Sequence, residues 1–462
     1  MNYNKNPFFL GLILLSFSLF CSSCRKGQEE VHAFISKNNI KRDTLRAATL
    51  SGSMSYFMYK GEEMGYEYEL LKNFSDSAKL PLKLLVAESE NRLFELLDNK
   101  EVDLIAYTVP ITLEGKEKYL YCGREVINEQ VLVQPKGEKK GDLLNNVLDL
   151  VGKDVWVIED SKYHKRLLNL NEEISGGIQI HLVNKDTITT EDLIEMVSNG
   201  EIPYTVSDED LARLNKTYYP KIDIRLKISH PQRSSWAVRK NSNLLGEKIN
   251  SWTEENFNTP TYQARIKRYF EMSKLPGDSP APIIGEGQIS PYDYLFQEYA
   301  SMINWDWRLL ASIAYQESKF HLDKESWAGA KGLMGIMPKT AKAFGVSPED
   351  MDKPESSIKA AVGLIQRLNK AFSNIKDENE RIKFILASYN AGSGHIYDAQ
   401  ALAEKYDQNP HRWDDVKEFL KLKHLPEYYQ DPVVKNGFYR SGKHTSHYVQ
   451  AVMERWQYYQ KF

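Results

Sequence analysis

The chain has 462 residues, too many for one ordinary hydrophobic core, and at about 150 residues per domain it should fold as two or three. Hydrophobic residues at 42% and charged residues at 27% exclude a disordered chain, and a formal net charge of −3 excludes a global basic field for nucleic acid. Aromatic residues reach 11%, a level that suits carbohydrate contact and plain core packing alike.

The first predicted element is an export signal. Lys5 precedes an apolar run from Phe8 to Phe20. A membrane-spanning helix needs about 20 apolar residues. This run is shorter and has the length of a signal-peptide core. It ends in Cys21-Ser22-Ser23-Cys24, small residues before a cysteine, the pattern of a lipoprotein signal. Residues 1–24 are therefore expected to be a lipoprotein signal peptide, with Cys24 carrying the lipid. Cys21 stands at the position where such signals usually have Leu. The implied location is the cell envelope, lipid-anchored, at an outer membrane facing the periplasm. Cys122 is then the one remaining thiol, so no internal disulfide is expected. His444 and His447 lie three apart without further ligands nearby, so neither a metal nor a cofactor is expected.

Residues 25–42 are polar and charged and read as a tether. From 43 to 272 short apolar runs alternate with helical stretches. Strands are predicted at Leu45–Leu50, Leu82–Val86, Val102–Tyr107, Val155–Ile158 and Ile178–Val183, with a helix over Tyr68–Phe74. Strands alternating with helices predict an α/β domain on a largely parallel sheet. Residues 273–288, with Pro276, Pro280, Pro282, Gly277, Gly285 and Gly287, read as a linker. From 289 to 462 only helical periodicity is seen, so the fold class is two domains, α/β followed by all-α.

In the second domain Leu310, Ile313, Ala314 and Glu317 follow the i, i+3, i+4, i+7 pattern. Glu317 thus lies on an apolar stripe, where desolvation would favour its protonated form. A protonated carboxyl is what a general acid requires. The competing reading is a Glu at the end of the stripe that pairs with Arg308 or Lys319. Ile382, Ile385, Leu386 and Tyr389 form another stripe, and Gly392 suits a helix C-cap.

The blocks around these residues carry a resemblance. Glu317-Ser318 is followed by Ser326-Trp327-Ala328-Gly329-Ala330-Lys331-Gly332-Leu333-Met334-Gly335, then Ala387-Ser388-Tyr389-Asn390-Ala391-Gly392, then Tyr448-Val449. In this order they resemble the soluble-lytic-transglycosylase domain, a lysozyme-like family. The resemblance implies Glu317 as the single catalytic acid and base, and contacts to peptidoglycan glycan strands from Ser326, Tyr389, Asn390 and Tyr448. It implies cleavage of the MurNAc–GlcNAc β-1,4 bond to 1,6-anhydro ends. Asp323 and Glu325 are the competing second carboxylates of a hydrolytic muramidase, and a non-catalytic glycan or solute receptor is a further alternative. The family usually has Gln where Gly335 stands, and replacing Gly335 by Gln is expected to add a hydrogen bond to substrate.

Over about 43–270, Leu45–Thr49, Gly65–Leu71 and Leu97–Thr108 resemble family-3 periplasmic solute-binding domains, a two-lobed α/β fold. Such a domain before a transglycosylase domain resembles the membrane-bound lytic transglycosylases. The Arg that clamps an amino acid's carboxylate in that family is absent from Thr112-Leu113-Glu114-Gly115, where Lys116 and Arg124 are the nearby cations. Asp208 and Tyr66 remain as candidate ligand contacts, for a muropeptide or another small solute.

Overall fold

A computed structural model describes residues 44–137, 143–183, 188–272 and 288–461. The expected signal peptide, Cys24, the tether and nearly all of the linker lie outside the described residues. In chain order the first half runs β1 (Leu45–Leu50), β2 (Phe57–Tyr59), β3 (Glu62–Met64), α1 (Tyr66–Ser77), β4 (Leu82–Ala87), α2 (Glu90–Asp98), β5 (Leu104–Pro110), α3 (Leu113–Lys118), β6 (Tyr119–Asn128) and β7 (Gln130–Pro135). It continues with β8 (Asp154–Ile158), α4 (Lys162–Glu173), β9 (Gln179–Val183), α5 (Thr190–Asn199), β10 (Thr205–Asp208), α6 (Glu209–Lys216), β11 (Ile222–Asp223), β12 (Gln232–Arg239), α7 (Asn243–Asn256) and α8 (Pro260–Phe270). The rest is helical: α9 (Asp293–Ser301), α10 (Trp307–Ser318), α11 (Pro338–Ala343), α12 (Pro354–Ala371), α13 (Glu378–Ala391), α14 (Ser393–Lys405), α15 (Trp413–Leu422), α16 (Pro426–Tyr429) and α17 (Gly442–Tyr459). Among the described residues no helix is long and apolar enough to cross a membrane.

The chain divides into two compact units. One holds the stretches ending at Leu50, Glu67–Val126 and Ser234–Phe257. Its sheet has the order β4-β1-β5-β12-β6, with β1 parallel to β4 and β5 and β12 antiparallel to β5. The interior strand β1 is buried almost throughout, as expected where helices cover both faces of a sheet. Its Arg46 is tolerated inside because the Asp103 carboxylate, 2.6 Å away, accepts from it, and Asp103 also accepts from Arg239 at 3.1 Å. Cys122 is free and buried, and burial pushes its thiol up to about 12.

The other unit holds Ser51–Tyr66, Ile127–Arg233 and Asn258–Phe462. Its α/β part is a second sheet of order β11-β7-β10-β8-β9, in which β7 runs antiparallel to β10 and β11. Two mixed sheets, as the two-lobed resemblance implies, stand where the alternation of strands and helices by itself predicted a largely parallel sheet. Each gains antiparallel strands because the chain leaves the first unit after Val126 and returns to it at Ser234.

The helical part buries one continuous apolar cluster drawn from residues 289–459. Helix α10 runs through its centre. Asp306 caps the N-terminus, accepting from Arg308 N at 3.0 Å. Leu310, Ile313 and Ala314 are fully buried, each large side chain contributing about 1.5–3 kcal/mol. At its C-terminus Lys319 and Phe320 both adopt left-handed backbone, φ 52° and 67°. Non-glycine residues rarely do so, and two in succession turn the chain sharply back across the helix end. The following segment, 321–337, therefore folds over Glu317.

Candidate active site

Glu317 sits in the last turn of α10 on the predicted stripe, its side chain 11% exposed. The segment that folds over it is pinned by polar contacts. Ser318 Oγ lies 3.0 Å from Ala314 O and 2.8 Å from Leu333 O. Met334 N donates to Ser357 Oγ at 3.0 Å, and Tyr389 OH donates to Met334 O at 2.7 Å. Tyr389 is buried in α13, and burial, followed by the charge of Glu317, raises its phenol well above the ordinary value. It props the loop beside the carboxylate. Tyr448, on α17, donates its hydroxyl to Glu317 Oε1 at 2.9 Å. Its phenol is likewise raised by burial and by the Glu317 charge, so it remains a donor.

Gly335 follows Met334 with φ +58°, and a Cβ there would lie 2.3 Å from Glu317 Oε2 and 3.0 Å from Glu317 Cβ. The position is therefore not a vacated subsite awaiting an amide. The expectation that Gln would gain a hydrogen bond is corrected: a side chain here is strained by the backbone and pushes on the carboxylate itself.

Asn390, next on α13, accepts from Thr445 Oγ1 at 2.7 Å through Oδ1, and Thr445 is bonded in turn to Tyr439 OH at 2.7 Å. That leaves the amide NH₂ as the group Asn390 can donate from at the cavity it lines. Ser326 Oγ accepts from Ala330 N at 3.0 Å, holding its turn and keeping a hydroxyl proton to donate. Glu317, Ser326, Asn390 and Tyr448 line one cavity of about 740 Å³, while Tyr389 lies behind it. The other carboxylates lining that cavity each have a cation: Glu325 with Lys331, Glu191 with Arg440, Asp192 with His424 and Glu195 with Lys443.

The residue that sequence reasoning missed is Lys60. Strands β2 and β3 form a hairpin whose two-residue turn, Lys60-Gly61, has φ 47° and 79°, the primed turn favoured in tight hairpins. Lys60 Nζ donates to Glu317 Oε1 and Oε2 at 3.3 and 3.1 Å and to Gly335 O at 3.1 Å. It also lies 5.8 Å from the centre of the Tyr389 ring. Glu317 was expected to pair with Arg308 or Lys319, or to stay in apolar surroundings; its partner instead comes from 257 positions upstream. The hairpin is seated further by His395 Nε2, 3.1 Å from Met58 O, and by the close approach of Gly61 N to Gly392, where a Cβ would lie at 2.5 Å. Gly392 caps α13 as predicted and also makes room for the hairpin tip. A short Lys-Gly turn between three-residue strands was the available signal. In this arrangement both carboxylate oxygens of Glu317 accept from the Lys60 ammonium.

The candidate contacts of the solute-binding part are elsewhere. Asp208 is ion-paired with Lys162, and Tyr66 OH is 3.2 Å from Tyr262 OH, its ring packed edge-on against Phe270. Neither lines the cavity around Glu317. Thr112 caps α3 by accepting from Gly115 N at 2.9 Å, and Arg124 stacks on Phe257 at 4.5 Å.

Residues 294–411 match the Transglycosylase SLT domain, and residues 45–272 match the bacterial extracellular solute-binding proteins, family 3. A membrane-bound lytic murein transglycosylase F of Desulfosudis oleivorans is 31% identical over 88% of this chain and 87% of its own. One of Shewanella sediminis is 30% identical over 95% of this chain and 89% of its own. The chain belongs to the membrane-bound lytic murein transglycosylase F family. A relative of the same name from Pseudomonas fluorescens strain Pf-5 is 29% identical over 87% of this chain and 82% of its own. The protein is thus a lytic transglycosylase with a solute-binding domain; Glu317 lies within the matched SLT span and Tyr448 beyond its end.

Proposed function

We propose that this enzyme cleaves the MurNAc–GlcNAc β-1,4 bond of peptidoglycan without water, leaving 1,6-anhydro-MurNAc ends. Glu317 gives its proton to the leaving GlcNAc O4 as the C1–O4 bond breaks. It then takes the proton of the muramyl C6 hydroxyl as that oxygen bonds to C1. Acid and base are one carboxylate, and the nucleophile is held within the substrate, where effective molarity is high. One observation supports this reading: Glu317 is the carboxylate of the cavity that accepts from the Tyr448 phenol, and the others lining the cavity are, like Glu317 itself, each paired with a basic side chain, so none stands free as a second carboxylate. A hydrolytic glycosidase would need a second free carboxylate across the scissile bond; Asp323 is exposed and Glu325 is paired with Lys331. Ser326, Asn390 and Tyr448 would hold the glycan.

The Lys60–Glu317 pair supports a regulatory role for the solute-binding part. Lys60 must leave before Glu317 can act, so a ligand of that part, a muropeptide or another small solute, would set activity by moving the hairpin. Lipidation at Cys24 would hold the enzyme at an envelope membrane. Peptidoglycan sacculi digested with the wild-type protein and with Glu317→Gln test the chemistry by product mass. Ends one water lighter than reducing ends, lost in the variant, are expected. Reducing ends would mean a muramidase, and no release by either the wild type or Lys60→Met a receptor.

A further inference from the structure

We propose that Lys324 is a carboxylate subsite of the glycan groove, its ammonium taking an anion hung from O3 of a muramyl residue. That anion is the lactyl carboxylate on a peptide-free strand, or the first carboxylate of the stem where the lactyl group carries a peptide. The proposal rests on the glycan-cleaving reading above and names the part of the substrate that the groove reads. Lys324 lies in the segment that folds over Glu317 and lines the same cavity. Of the other lysines and arginines lining it, Lys60, Lys421, Arg440 and Lys443 are paired with Glu317, Glu418, Glu191 and Glu195. Among the described residues no carboxylate pairs with Lys324, nor with Lys319, whose charge repels it. Lys324 is half-buried, and its ammonium is lowered by burial, then by Lys319, against the pull of Glu317. Glu317 is itself held by Lys60 through both oxygens. A partly desolvated cation with no counter-ion of its own is what an anionic ligand relieves.

The backbone holds this side chain in place. Gly332 N donates to Lys324 O at 3.0 Å, and Ser326 N donates to Ala330 O at 2.8 Å. Between them Glu325 and Lys331 form an antiparallel bridge, and their side chains pair at 3.2 Å. The chain through 324–326 is therefore extended, so alternate side chains share a face. Lys324 and Ser326 stand on one face, about 7 Å apart along the strand, with Glu325 on the other. Gly332 has φ +74°, and a Cβ there would run into Met351 O, which fixes the turn opposite Lys324. Ser326 is a proposed glycan contact, and a muramyl ring differs from its GlcNAc neighbour in the O3 lactyl arm alone. A strand held at Ser326 brings that arm within reach of a lysine two residues away. A compact charge on a flexible stem suits a carboxylate whose position varies with the peptide behind it.

The test uses the full chain carrying Glu317→Gln, which cannot cleave and has lost the anion that holds Lys60. Calorimetry measures its binding of three GlcNAc–MurNAc oligosaccharides, before and after adding Lys324→Met or Lys324→Arg. One oligosaccharide is peptide-free with its lactyl carboxylates, the second has them capped as neutral methylamides, and the third carries stem peptides. Lys324→Met should lower affinity for a carboxylate-bearing strand by roughly three- to tenfold, as for a half-exposed ion pair, and leave the neutral strand unchanged. Lys324→Arg should stay within about twofold of the parent, and the loss should shrink at about 1 M salt, where the screening length is about 3 Å. A loss on the peptide-free acid assigns the lactyl carboxylate, and a loss confined to the peptide-bearing strand assigns the stem. Unchanged affinity for both acidic strands, an equal loss on the neutral one, or no binding by a folded parent overturns the subsite. A charge-specific loss alongside reducing ends from the wild type would fail the anhydro reading and leave the subsite standing.

Discussion

Glu317 shows what a single position can and cannot disclose. Its place on an apolar stripe of α10 follows from side-chain spacing, and the surrounding blocks give it a role. The cation on it is invisible to local periodicity, because Lys60 lies 257 positions away in sequence. Gly335 is the reverse case: the departure from the usual Gln is plain in the sequence, but its reason is backbone geometry. Gly335→Gln should lower activity, since a non-glycine residue in left-handed backbone costs about 1 kcal/mol and its Cβ would crowd Glu317 Oε2. Cleavage rate and melting temperature should both fall; a rise in rate would restore the subsite argument. Glu317→Gln, nearly isosteric, should cost about 10²–10⁴-fold or more in glycan release without unfolding the chain, which circular dichroism would verify.

Elements held by regular patterns were legible. The strands β1, β4, β8 and β9 appear within a residue or two of their predicted limits, because short apolar runs bounded by turns leave few alternatives. The β2–β3 hairpin was not seen: three-residue strands carry too little alternation, and this pair is held by what it packs against. Lys60→Met should uncover Glu317 and raise initial glycan release by about tenfold, the loss of one charge-assisted bond of about 1.5–3 kcal/mol. A rate equal to or below wild type would mean that the hairpin does not limit access.

A second contact of α5 should respond to pH. His424 Nε2 lies 3.0 Å from Asp192 Oδ2. Burial opposes the charged forms of both, yet their mutual hydrogen bond raises His424 and, with Thr189, brings Asp192 down to about 2. Lys443, paired with Glu195, pulls His424 slightly the other way. A raised histidine stabilises fully below its ordinary value of about 6.5 and loses that contribution as pH rises through its folded value. The depressed Asp192 contributes above about 3.9 and loses its share only as pH falls through about 2. Melting temperature should therefore fall as pH rises above about 6.5, by about 2–4 °C for each kcal/mol lost, and His424→Gln should flatten that slope.

At the scale of the whole molecule, an α/β part followed by a helical one was readable from the change of periodicity near residue 270. The split of the α/β part into two sheets came from the two-lobed resemblance and not from periodicity, because the chain passes between them where no Pro- or Gly-rich segment marks the crossing. The helical cluster draws on residues 289–459 alone, so residues 288–462 should fold by themselves. Freed of Lys60, that fragment should digest sacculi faster per mole than the full chain; a folded but inert fragment would show that upstream residues complete the site.

The wide separation of Lys60 from Glu317 also fixes an order of manufacture. At about 5–20 residues per second, the ribosome finishes the hairpin roughly 10–50 s before it adds the acid. If Lys60 holds Glu317 off as proposed, a newborn molecule meets its stopper before it owns the group to be stopped. A circular permutant that emits residues 51–66 last would reverse that schedule, leaving the acid bare for the interval.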